Sequence, residues 1–150
     1  MKYQFKPTEN IENLDPNRKT VFLAGSIEMG NAFKYQDIAA ATLLSKGYIV
    51  LNPRRDDWDS SWVQSIDNPQ FKEQVTWELL GLEMSDIIVM FFDPNTKSPI
   101  SLLELGLFAR SGKLKVVCED GFWRKGNVDI VCEKYNVPIF ENLDELLKSL

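Results

Sequence analysis

Thr20-Val21-Phe22-Leu23-Ala24 is a short apolar run with no polar alternation, closed by Gly25-Ser26, and it suits a strand buried on both faces. Similar runs return at Tyr48–Leu51, Asp86–Phe92, Leu114–Cys118 and near Val137–Phe140. Helical patterns separate them. One spans 31–46, with apolar positions at Phe33, Ile38, Ala41 and Leu44 and a stop at Gly47. A second runs from Pro69 to Met84. A third covers 99–111, with Ser98 as its cap, Pro99 at its first position and Gly112 at its end. Shorter ones lie at 127–135 and from Leu143. Strands alternating with helices predict an α/β fold: a single-domain, flavodoxin-like or Rossmann-like sandwich. Its parallel sheet of about five strands has the order 2-1-3-4-5 and carries helices on both faces. Residues 1–19, polar and carrying Pro7 and Pro16, read as an N-terminal arm before a domain over 20–150.

The 150 residues suffice for one real core, and 44% hydrophobic with 26% charged is an ordinary globular composition. The chain has no histidine, which removes Ser-His-Asp and Cys-His catalysis and His-ligated metals together. Acid-base chemistry must then come from carboxylates, Lys, Tyr or Cys. Cys118 and Cys132 show no metal-ligand spacing and read as core and helix residues, so neither a metal nor another cofactor is expected. A net charge of −5 without a basic stripe argues against nucleic-acid polymers. No stretch suits a membrane span and no apolar signal core follows Met1, so a cytoplasmic protein with a small, partly apolar ligand is expected.

Two carboxylates stand where leucines belong. Glu104 sits among Leu102, Leu103, Leu105, Leu107 and Phe108, and Glu78 lies between Trp77 and Leu79-Leu80. Right-handed crossovers put the helices before and after the third strand side by side on one face. Glu78 falls roughly 12 Å of helix before that strand, and Glu104 roughly 7 Å into the helix after it. Both therefore reach one cleft near the carboxyl ends of the strands. There an apolar setting drives two carboxyl pKa values apart, leaving one group ionised to attack and the other protonated, the layout of retaining glycosyl transfer. The plainer alternatives are solvated surface glutamates, or an ion pair of Glu104 with Arg110 or Lys113.

Other positions are candidates by place. Asp93 follows the third strand, as a ligand contact or an Asp-Pro turn residue. Arg54 and Arg55 open the long loop 52–68, either to bind substrate or to pair with Asp56, Asp57 and Asp59. Trp58 and Trp62 suit base stacking, a lid or a subunit interface. Residues 121–126 offer a second cleft wall. Gly25-Ser26-Ile27-Glu28-Met29-Gly30 is no dinucleotide fingerprint.

Phe22-Leu23-Ala24-Gly25-Ser26, Ser85-Asp86-Ile87-Ile88-Val89, Leu103-Glu104-Leu105-Gly106 and Gly112-Lys113 together resemble the nucleoside 2-deoxyribosyltransferase family over residues 20–118. Asn-Pro-Arg-Arg at 52–55, Asp57-Trp58-Asp59 and the stretch 121–128 bring the chain nearest to its transferase-like branch. The resemblance implies cleavage of the N-glycosidic bond of a nucleoside or nucleotide, with Glu104 as nucleophile and transfer of the sugar to a free nucleobase. Glu78 stands where the family has an Asp acting on the base. Gly25 and Ser26 would line the sugar pocket, and Ser98 occupies the neighbourhood of another family Asp; apart from the resemblance, the guanidinium of Arg54 or Arg55 suits a phosphate if one is present. Homo-oligomers with shared sites are implied, with Asn127 donated across the interface. Hydrolysis of nucleosides or nucleoside monophosphates, or a non-catalytic nucleotide-binding module, are the alternatives. Glu28 replaces an Arg used for phosphate in a hydrolase branch.

Overall fold

The computed structural model describes residues 2–27, 33–55 and 61–150. In chain order the elements are β1 (Gln4–Phe5), β2 (Thr20–Gly25), α1 (Tyr35–Ser45), β3 (Ile49–Leu51), α2 (Pro69–Met84) and β4 (Ile87–Phe92). There follow α3 (Pro99–Phe108), β5 (Leu114–Cys118), α4 (Lys125–Tyr135), β6 (Ile139–Phe140) and α5 (Leu143–Lys148). The strands form one six-stranded, all-parallel sheet in the order β1-β3-β2-β4-β5-β6. The last five follow the flavodoxin-like order expected from the sequence.

The sixth strand comes from the arm. Without it, β3 would present its backbone N–H groups at an open edge. The carbonyls of Tyr3 and Phe5 instead accept from Val50 and Asn52 at 2.8 and 2.9 Å. Ile11 is buried in the core, and Tyr3, Phe5 and Leu14 pack against it. A segment that is polar on average thus contributes a few apolar anchors at decisive places.

Continuous apolar strands need two covered faces, and the core divides accordingly. Phe22, Ile88, Met90 and Phe92 meet Trp77 and Leu82 of α2, Leu105 of α3, and Val128 and Cys132 of α4. On the other face Val21, Leu23, Val89 and Phe91 meet Tyr35, Ala39 and Leu43 of α1 with Leu146 and Leu147 of α5. The helices before and after β4 therefore share a face. Asn68 caps α2 by accepting from the Phe71 N–H, and Pro69 occupies the first turn without losing a bond.

Two helices bury faces other than their apolar spacing suggests. In α1 the inward residues are Tyr35, Gln36, Ala39, Ala40 and Leu43, whereas Phe33 and Ile38 are exposed. Polar groups turn the helix: the Tyr35 hydroxyl donates to the Ala24 carbonyl, and the Gln36 amide donates to the Ser26 carbonyl. In α3 only one side is covered, because Ile100, Leu103 and Leu107 are each more than half exposed.

Gly25 ends β2 with φ +118°, and a Cβ there would lie 2.2 Å from the Phe91 carbonyl oxygen. Both the backbone angle and the contact exclude a side chain. Gly25→Ala should destabilise the protein by about 3 kcal/mol or more, read as a lowered urea midpoint with an unchanged denaturant slope. Wild-type stability would refute the account of this strand end.

Candidate active site

The carboxyl ends of β2 and β4 meet at a cluster of hydroxyls. Ser26 Oγ lies 2.6 Å from Ser98 Oγ, and Thr96 Oγ1 lies 2.9 Å from the first and 2.7 Å from the second. The Asp93 N–H donates to Ser26 Oγ at 2.8 Å. All four residues are buried. This network accounts for a departure at the start of α3. Ser98 precedes the helix as expected, but in the left-handed region with φ 47°, and its hydroxyl makes no capping bond. It is directed at Ser26 and Thr96 instead.

From Ser98 the buried side of α3 continues through Ser101 to Glu104 and Leu105. Six residues of helix place Glu104 roughly 9 Å along the axis from the hydroxyls. Glu104 is 8% exposed, and neither cation considered for it arrives. Lys113 donates to the carbonyls of Leu82 and Glu83, and Arg110 to the Tyr135 hydroxyl. Burial pushes the Glu104 carboxyl up to about 8, and the charge of nearby Glu78 adds to the rise. Burial raises Glu78 too, but a 2.8 Å hydrogen bond from Gln74 Nε2 opposes that shift. The two carboxylates are thus electrostatic neighbours, and Glu104 binds a proton at neutral pH. Tyr35 belongs to the same environment, its hydroxyl raised well above its usual value by burial and by Glu104.

The remaining candidates divide. Arg54 is buried at the end of β3 and aims its guanidinium at the start of α1, 3.3 Å from the Phe33 carbonyl and 3.4 Å from Gln36 Oε1. Its expected partners Asp56, Asp57 and Asp59, with Trp58 and Glu28, lie outside the described residues. Asp93 accepts from the Phe33 N–H at 3.0 Å and the Asn95 N–H at 2.9 Å, so its carboxylate ties the approach to α1 to the end of β4. Asn127 is exposed in the first turn of α4, outside the hydroxyl cluster and the carboxylate pair. The exposed ring of Trp123, in the suggested second wall, lies 4.6 Å from both Lys97 Nζ and Arg124 Cζ.

Sequence reasoning passed over Thr96, Gln74 and Gln36. Only Gln74 left a signal, standing four residues before Glu78 on one helix face. Thr96 and Gln36 become visible only when the strand ends are brought together. Cys118 and Cys132 are free and buried, and burial raises their thiols to about 12 and about 11. No described helix is long and apolar enough to cross a membrane.

The Glu104 shift is also a statement about stability. The folded state holds this proton to about pH 8 and an unexceptional carboxyl only to 4.5, so the folded state binds more protons between those values. Stability from this group is therefore fully present at low pH and is lost as pH rises through that window. Glu104→Gln removes the loss. It should raise stability by on the order of 2–3 kcal/mol at alkaline pH and by much less near the ordinary carboxyl range. Melting curves at both ends check this; equal curves at alkaline pH would contradict a buried, proton-binding Glu104.

No individually curated protein matches the chain. The family model described as "Nucleoside 2-deoxyribosyltransferase like" matches residues 18–122, a span that holds β2 through β5, the hydroxyl cluster and both carboxylates. The chain belongs to the nucleoside 2-deoxyribosyltransferase-like family.

Proposed function

We propose that this protein cleaves the N-glycosidic bond of a nucleoside or deoxynucleoside through a covalent glycosyl-Glu104 intermediate and passes the sugar to a second base. The observation that carries this reading is the Glu78–Glu104 pair, two neighbouring carboxyls whose charge burial disfavours, with the charge of Glu78 acting on Glu104. Such a pair retains one proton over a broad pH range.

In the reactive state Glu104 is ionised and Glu78 holds that proton. The Glu104 carboxylate attacks the anomeric carbon, the carbon–nitrogen bond breaks with its electron pair going to the base, and Glu78 protonates the departing nitrogen. The incoming base then attacks the same carbon, returns its proton to Glu78 and releases Glu104. Gly25, Ser26 and Ser98 stand at the sugar end, about one helix turn and a half from the nucleophile. Asp93 shapes that end through the loop it anchors, and Arg54, aimed at Phe33 and Gln36, is the cation proposed for a 5′-phosphate.

The neighbour is a second copy of the chain. Ile100, Leu103 and Leu107 recur at helical spacing on the exposed side of α3, and Leu79 and Leu80 of α2 are part-exposed on the same face of the sheet. Docking there would close the cleft beside Glu104, and Asn127 is the side chain proposed to be supplied across the contact. Leu103→Glu should convert the oligomer to monomer in light scattering and reduce turnover at least tenfold. A fully active monomer would refute site sharing.

Incubating a deoxynucleoside with a different free base tests the reaction. Exchange products report transfer, whereas free sugar alone reports hydrolysis. Glu104→Ala should lower either activity by more than a thousandfold, and retention of full activity would remove Glu104 as nucleophile. The rate needs the singly protonated pair, so kcat/KM should be bell-shaped in pH with its alkaline limb near 8.

A further inference from the structure

Gln74 is the buried polar side chain that touches the carboxylate pair, and its surroundings fix which way its amide points. It is 3% exposed. Oε1 accepts from Arg55 Nη1 at 3.2 Å, while Nε2 donates to Glu78 Oε1 at 2.8 Å and to the Pro53 carbonyl at 3.4 Å. A flipped amide would set oxygen against a carboxylate and a carbonyl, and its N–H groups against a guanidinium. Arg55 therefore locks the donor toward Glu78. The guanidinium is itself held, with its Cζ 5.2 Å from the Trp62 ring centroid.

We propose that Gln74, oriented by Arg55, is a positioning residue that aims Glu78 and leaves the proton shared by the two carboxyls on Glu104 in the resting protein. The inference rests on the reading of Glu78 and Glu104 as the reacting pair. Among the described residues, the charged and titratable groups tied to Glu78 are Glu104 from α3, Tyr35 of α1 beyond it, and Arg55 from the segment between β3 and α2. Of these, only Arg55 acts on Glu78 through a fixed hydrogen-bonded intermediary. A hydrogen bond to the ionised form favours that form. The Gln74 donor therefore separates two otherwise similar carboxyls in a defined direction, with Glu78 as the stronger acid. The reactive state then requires the proton to pass from Glu104 to Glu78, and Glu78, as the stronger acid, gives it readily to a leaving base. It also assigns the catalytic work to one Glu78 oxygen, because Gln74 occupies Oε1.

Nuclear magnetic resonance titration of protein carrying 13C-carboxyl glutamate reads both groups without turnover, with signals assigned through Glu78→Gln and Glu104→Gln. In the wild type the Glu78 midpoint should lie below that of Glu104. Gln74→Met removes donor and acceptor at similar volume and should raise the Glu78 midpoint by about one pH unit while lowering that of Glu104. Arg55→Met should shift both in the same directions by less. If Gln74→Met does not fold, Arg55→Met and the wild-type order decide. A wild-type Glu104 midpoint below that of Glu78, or two folded variants with unmoved midpoints, overturns the proposal. Predicted midpoints in a protein that turns over no nucleoside would uphold this wiring and sink the proposed reaction alone. In the active enzyme, Gln74→Met should move the acid limb of the pH profile upward and lower kcat more than it changes KM.

Discussion

Everything at the candidate site depends on the parallel pairing of β2 with β4, strands that are neighbours in space but not in sequence. Their ladder runs from Val21 opposite Ile87 to Gly25 opposite Phe91, and the Ser26 N–H prolongs it by donating to the Phe91 carbonyl at 2.9 Å. The chain leaves β2 toward one side of the sheet and β4 toward the other, which opens a crevice at their carboxyl ends. The close approach at Gly25 brings Ser26 to Thr96 and Ser98. The same pairing sends α2 and α3 over one face, so that Glu78 and Glu104 are neighbours across a strand rather than along it.

Placing two carboxyls beside each other carries a cost that the rest of the fold absorbs. Neither has a cationic partner of its own in the described hydrogen bonds and ion pairs, and burial disfavours the charge on both. The apolar packing of both sheet faces supplies the stability against which such a pair is maintained. Functional sites often hold residues that the fold alone would not select, and Glu104 fits that description: a leucine there would continue the helix's own pattern.

Much of this was legible in the chain because burial and periodicity are local signals. The unbroken runs at Val21–Ala24 and Ile87–Phe92 fixed strand positions, Pro69 marked the start of α2, and Glu104 stood out against its leucines. What stayed hidden depended on partners distant in sequence. The inward face of α1 was misjudged because Tyr35 and Gln36 are drawn to the carbonyls of Ala24 and Ser26, and polar attraction outweighs the apolar spacing of Phe33 and Ile38. Ser98 reads as a helix cap from its neighbours, but its hydroxyl is claimed by Ser26, just past the end of β2. Arg110 and Lys113 look available to Glu104 along one helix, yet a tyrosine on α4 and the carbonyls at the end of α2 take them.

The N-terminal arm reaches α2 as well as the sheet edge. The indole N–H of Trp77 donates to the Glu9 carbonyl at 2.9 Å, and Trp77 immediately precedes Glu78. Residues 2–17 lie outside the span matched by the family, whereas Glu78 lies inside it. Changes confined to this peripheral segment can therefore shift α2, and Glu78 with it, without touching a residue of the matched span.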